Sequence, residues 1–254
     1  FESFDKLKIH YFRYKPRNQA LCRKKQKFPA LVVLHGGPES QYKPAFNAIA
    51  QFYVAAGFMV IAPNIRGSRG YGRAFMEADN VEKRMDSVRD VEQLVKHLSE
   101  CDEDVDCDRL IVSGGSYGGF MVLSVITTYP DLFIGGIDIV GMSNLVTFLQ
   151  NTASWRRPLR EAEYGSLEKD MEMLVRFSPI HKIDRVKCPV FIIQGDNDER
   201  VPLSESTQIY DRLIEKKLNA KLLRFADEGH GVTKLKNKIV AFSQVMQWLL
   251  DLVQ

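Results

Sequence analysis

The sequence predicts an α/β fold, a mostly parallel sheet covered by helices on both faces, and three observations predict it. Apolar runs of strand length alternate with helical patterns along most of the chain. At 254 residues, 45% hydrophobic and 26% charged, the chain has the size and composition of one globular α/β domain with a full core. The third is local. Leu110–Val112, a short apolar run, leads directly through Gly114-Gly115-Ser116-Tyr117-Gly118-Gly119 into a helical pattern. A strand that ends in G-x-S-x-G and turns straight into a helix has the form of a nucleophile elbow.

Taken in order, Leu7 to Tyr14 alternates loosely and is expected to begin an antiparallel edge of the sheet. The basic cluster Arg23-Lys24-Lys25-Gln26-Lys27 falls between two strand-like runs and reads as a solvated hairpin tip. Ala30–Leu34, Phe58–Ala62, Leu110–Val112 and Phe133–Val140 read as central strands. Between the second and third, Val88, Val91, Val95 and Leu98 form one apolar helical stripe. The alternation Asp102, Asp104, Asp106, Asp108 resembles a calcium loop. It lacks the glycine at the sixth position, here Cys107, and the glutamate at the twelfth, here Ser113, so it reads as a polar turn. A helix is expected from Tyr117 to about Thr128. Residues 141–188 break the alternation with helical, charged material and are a candidate pocket wall or lid over the site. Pro189–Gln194 reads as a buried parallel strand and Ala220–Phe225 as another. Ile239, Phe242, Met246, Leu249 and Val253 make the stripe of a last helix.

The elbow aims Ser116 and the free N–H groups of the following helix at one spot, a place to make and stabilise an acyl-enzyme. A nucleophilic serine needs a base and an orienting acid, and in this type of fold they follow in the order Ser, Asp or Glu, His. Of the five histidines, only His230 follows both Ser116 and a strand-end acid. It sits between Gly229 and Gly231, which let the loop place the ring without steric conflict. For the acid, Asp196, Asp198 and Glu199 compete after Gln194, and spacing alone does not separate Asp196 from Asp198.

His35-Gly36-Gly37-Pro38, Asn64-Ile65-Arg66-Gly67-Ser68-Arg69-Gly70-Tyr71-Gly72, Gly-Gly-Ser-Tyr-Gly-Gly, Gly-x-x-Asp-x-x-Val-Pro and Glu-Gly-His-Gly stand in this order. The set resembles the α/β-hydrolase catalytic domain of the prolyl oligopeptidase family, near its acylaminoacyl-peptidase and dipeptidyl-peptidase branches, over nearly the whole chain. The resemblance implies a single domain, residues 1–254. It selects Asp198 as the acid, completing a triad of Ser116, Asp198 and His230. It implies oxyanion donors in the backbone N–H of Tyr117 and, from the turn after His35, of Gly37. Some relatives place a tyrosine hydroxyl where His35 stands, and the departure points to a backbone donor. By position Met142, Leu145 and Phe148, with Val201 and Tyr117 opposite, resemble family residues that line the primary specificity pocket; the alternative is ordinary core. Arg200 matches a family position that contacts substrate carbonyls, or is a surface charge.

The expected activity is a serine peptidase acting on short or N-acylated peptides, with no cofactor and no metal. A carboxylesterase on the same triad is the alternative, and a catalytically inactive hydrolase fold acting as a binding module is a third. Members of the family usually carry a β-propeller before the catalytic domain; none is visible here, and an excised domain or a natural minimal hydrolase are both open. A homo-oligomer also remains open. The net charge of +3 is too small to argue for nucleic acid. No apolar run reaches the length of a membrane span. The four cysteines are scattered without metal-ligand spacing, although Cys101 and Cys107 are near enough in sequence to pair. Their low density fits a reducing compartment, and a cytoplasmic location is expected.

Overall fold

The computed structural model describes residues 1–22 and 27–254, so most of the basic cluster at Arg23–Gln26 lies outside the described residues. The chain runs β1 (His10–Tyr14), β2 (Phe28–Leu34), α1 (Ala48–Ala55), β3 (Met59–Asn64), α2 (Arg73–Met76), α3 (Arg84–Cys101), β4 (Val105–Gly115) and α4 (Tyr117–Thr128). It continues through β5 (Gly135–Ile139), α5 (Leu145–Asn151), α6 (Arg157–Tyr164), α7 (Met171–Phe177), β6 (Val190–Gly195), α8 (Leu203–Glu215), β7 (Ala220–Phe225) and α9 (Leu235–Val253).

The seven strands form one sheet in the order β1-β3-β2-β4-β5-β6-β7. Only β1 is antiparallel, pairing with β3 as the edge expected from its loose alternation. All other neighbours are parallel. The architecture is the α/β-hydrolase fold.

Strand side chains alternate between two cores, as a period of two requires. Ala30, Val32 and Leu34 face one buried cluster with α3, α4 and α8. Leu31, Ile111 and Phe191 face a second cluster with α1 and α9 on the other side. In α3, Val88, Val91, Val95 and Leu98 are all buried, so that stripe packs as expected. In α9 the buried face keeps Leu249 and Val253 of the expected stripe, but its first turns bury Asn237, Ala241 and Val245. Ile239 is 59% exposed. Spacing alone could not phase a helix that carries apolar residues over more than half its circumference.

Of the acidic run expected to be a turn, residues 103–104 are one, but the 11-residue β4 begins at Val105 and takes in Asp106 and Asp108. Val105 is fully buried and pairs with Phe28, which anchors the early start. The carboxylates are neutralised from the side. Asp102 pairs with Arg13 at 2.8 Å, Asp104 with Lys15 at 2.7 Å, and Asp106 with Arg109 at 2.6 Å. No disulfide joins the described cysteines. Among the described residues, no helix is long and apolar enough to cross a membrane.

Candidate active site

Four loops meet at one edge of the sheet because β2, β4, β6 and β7 run parallel and therefore end on the same side. They carry Gly36–Gly37, Ser116, Asp198 and His230 respectively.

Ser116 sits between β4 and α4 with φ +58° and ψ −118°, a conformation costly for any residue with a Cβ. Its neighbours make the turn possible. A Cβ on Gly114 would lie 2.3 Å from Gly118 O, and one on Gly118 would lie 2.2 Å from Leu34 O. The elbow is thus pressed into the end of β2. Ser116 N–H donates to Ile139 O at 2.8 Å, tying the turn to β5. Its carbonyl accepts from Gly119 and Phe120 at 2.9 and 3.1 Å and so opens α4. The N–H of Tyr117 lies in the first turn, where the helix itself supplies no acceptor.

Spacing left two aspartates open and the family resemblance selected Asp198; the geometry separates them in the same way. Asp198 Oδ2 lies 2.7 Å from His230 Nδ1, whereas Asp196 pairs with Arg224 at 2.9 Å. Asp198 Oδ1 accepts the backbone N–H groups of Arg200 at 2.8 Å and Val201 at 3.0 Å. Burial works to raise the Asp198 pKa. The bond from His230 and the two backbone donors outweigh it and hold the carboxyl below its ordinary value. No hydrogen bond joins Ser116 Oγ to His230 among the described residues, a contact that in serine hydrolases often tightens only with substrate bound.

A second buried carboxylate fixes the loop that carries His230. Glu228 accepts from Thr233 N at 3.1 Å, Thr233 Oγ1 at 2.7 Å, Lys234 N at 2.8 Å and Asn237 Nδ2 at 2.8 Å. Against the opposing pull of burial, these donors lower its pKa to about 2. Sequence reading passed over Glu228 because its role depends on the start of α9 folding back onto it.

The turn after β2 lies against the elbow. A Cβ on Gly36 would approach Ser116 Cβ to 3.4 Å, and Gly37 adopts φ +124°. His35 holds the base of this turn, with Nδ1 2.8 Å from Gly36 O and Nε2 2.7 Å from Ser68 Oγ. Burial lowers the pKa of the ring, and both nitrogens face structural partners.

Met142, Leu145, Phe148 and Val201 are each at most 2% exposed and join Tyr117 and Tyr164 in one apolar cluster. Arg200 is separate from them and exposed. It lines a cleft of about 790 Å³ with Trp155, Arg156, Asn197, Glu199 and His230. Tyr117 is held from behind by a buried ionic group that no sequence pattern announced. Its hydroxyl lies 3.0 Å from Arg84 Nη1 and donates to Asp79 at 3.0 Å. Arg84, fully buried, pairs with Asp79 and Glu163, donates to Glu163 O at 2.7 Å, and lies between the rings of Tyr117 and Tyr164. α6 is thereby tied to the residue after Ser116.

A family model described as "Prolyl oligopeptidase family" matches residues 44–254. Dipeptidyl aminopeptidase BIII of Pseudoxanthomonas mexicana is 33% identical over 234 residues, 87% of this chain and 33% of that protein. The acylamino-acid-releasing enzyme of Mus musculus is 28% identical over 232 residues, 89% of this chain and 31% of that protein. Among solved structures, a Mycobacterium tuberculosis puromycin-hydrolyzing peptidase superposes with TM-score 0.91 at 27% identity, covering 96% of this chain and 37% of that one. The chain spans about a third of the length of the curated relatives it matches.

Proposed function

Because the chain belongs to the prolyl oligopeptidase family of serine peptidases, we propose that it hydrolyses short or N-acylated peptides through an acyl-enzyme on Ser116. The observation that carries this reading is the 2.7 Å contact of Asp198 with His230 Nδ1, at the same sheet edge as a serine on a strained elbow. With Nδ1–H committed to Asp198, Nε2 is the basic nitrogen and takes the Ser116 proton as Oγ attacks the carbonyl. Asp198 stabilises the imidazolium that forms. The oxyanion is received by the N–H groups of Tyr117 and Gly37, each such donor being worth about 3 kcal/mol in the transition state. His230 then protonates the departing amine, and water, deprotonated by the same nitrogen, releases the acid. From residues 141–188, Ala153, Trp155 and Arg156 wall the cleft.

The test is turnover of matched p-nitroanilide and p-nitrophenyl substrates with dipeptidyl, N-acetyl-aminoacyl and simple acyl groups, with Ser116→Ala as control. Amide cleavage abolished by that substitution supports the peptidase. Ester cleavage alone makes the protein an esterase. Failure of an organophosphonate to label Ser116 overturns both.

A further inference from the structure

The cleft beside His230 is walled by arginines that have no ion-pair partner among the described residues. Arg156 and Arg200 line it, and Arg160 lies one helical turn beyond Arg156. None of the three forms an ion pair among the described residues, while the acids of α6 are engaged elsewhere. Glu163 binds Arg84, and Glu161 accepts from Leu167 N at 3.4 Å. Glu199, exposed and next in sequence to Arg200, is the one carboxylate lining the cleft among the described residues, and Asp198 is committed to His230. Burial lowers the proton affinity of Arg156, and the like charges of Arg160 and Arg200 lower it further.

The arrangement is built rather than floppy. Arg157 donates to Gln150 O at 3.0 Å and Thr152 O at 3.4 Å, closing the turn that leads into α6. Arg156 N–H donates to Ala153 O at 2.9 Å. Its guanidinium lies 5.5 Å from the ring centroid of Trp155, which is 76% exposed. The Arg200 backbone is fixed on Asp198. Gathering like charges at a concave surface is unfavourable until an anion enters, and it raises the local concentration of anionic ligands. Guanidinium groups match carboxylates in shape and hydrogen-bonding geometry.

We propose that this arginine wall selects acidic peptides, binding a substrate carboxylate between Arg156 and Arg200 with Arg160 adding to the field. The inference rests on the cleft beside His230 being the substrate site. Turnover of N-acetyl tetrapeptide p-nitroanilides, identical except for Glu or Gln at each position in turn, tests it. At one position or more, the Glu peptide should be preferred on the order of 10-fold in kcat/KM. The preference should vanish in Arg156→Gln and shrink with added salt. Equal turnover of all pairs overturns the proposal, and so does a preference that survives Arg156→Gln/Arg160→Gln. A second measurement separates this from failure of the peptidase reading. Ser116→Ala protein is titrated with the unlabelled Glu and Gln peptides while Trp155 fluorescence is followed. Tighter binding of Glu peptides, lost in the Arg156→Gln background, supports the arginine wall even without turnover; equal or absent binding overturns it.

Discussion

At the scale of single residues, the site depends on atoms that leave no room. The Gly118 Cα lies so close to Leu34 O that a methyl group would sit 2.2 Å from it. Gly118→Ala should therefore force the elbow off β2, costing at least about 3 kcal/mol in urea unfolding and abolishing phosphonate labelling of Ser116. Asp198→Asn is a different kind of change. It retains the shape of the turn but presents His230 with the wrong partner, and kcat should fall on the order of 10⁴-fold with little loss of stability. Against burial, which works to raise it, His230 and two backbone N–H groups hold the Asp198 pKa below its ordinary value. Ser116 and His230 leave local marks in the sequence, a serine on an elbow and a histidine between glycines, whereas Gly37 came only from the family resemblance. Spacing did not separate Asp198 from Asp196, which stand in the same turn; the family resemblance selected Asp198, and in the fold Asp198 faces His230 while Asp196 faces Arg224.

At the scale of elements, buried ions join pieces that strand and helix patterns describe separately. Arg84 of α3 binds the segment before it through Asp79, α4 through Tyr117 and α6 through Glu163. Arg84→Met leaves two buried carboxylates without their cation and should destabilise the fold by about 3–5 kcal/mol, read in urea. Because α6 loses its tie, KM should rise more than kcat falls. Glu205 of α8 does similar work on the start of α5, accepting Ser143 N at 3.0 Å, Asn144 N at 2.9 Å and Thr147 Oγ1 at 2.5 Å. Glu228 links the His230 loop to α9. Glu228→Gln gives up part of that acceptor set, so kcat should drop several-fold with KM nearly unchanged. These residues were unreadable in sequence because an isolated Arg or Glu on a helix is ordinarily a solvated charge. Burial becomes visible only when three elements converge on it.

At the scale of the whole molecule, one buried acid gives the fold a pH dependence. Asp138 of β5 is fully buried, wedged where a Cβ on Gly119 or Gly141 would come within 2.2 and 2.1 Å of its Oδ1. Burial raises its pKa to about 7, with the Gly141 N–H opposing and the negative charge of Glu205 adding to the rise. The unfolded chain releases this proton near the ordinary value of 3.8. Between the two values the folded state holds more protons, so the stability contributed by the neutral acid is full below about pH 4 and is lost as pH rises through about 7. Asp138→Asn should gain on the unsubstituted protein as pH rises from about 5 to about 8, by up to about 3 kcal/mol. Thermal unfolding across that range checks it, and a constant difference would show that Asp138 does not titrate there.

The sequence by itself determined the α/β class, the antiparallel edge, the α3 stripe and the strand–serine–helix turn. Each of these is written in spacings of a few residues, within reach of local sterics and the periods of two and 3.6. It did not determine which face of α9 is buried or how far β4 extends, because those follow from what packs beside them. Nor could it show the Arg84 group, the Glu228 and Glu205 anchors or the arginine wall. Coulomb attraction and desolvation act between residues far apart in the chain, and their sign depends on which groups the folded sheet brings to one edge.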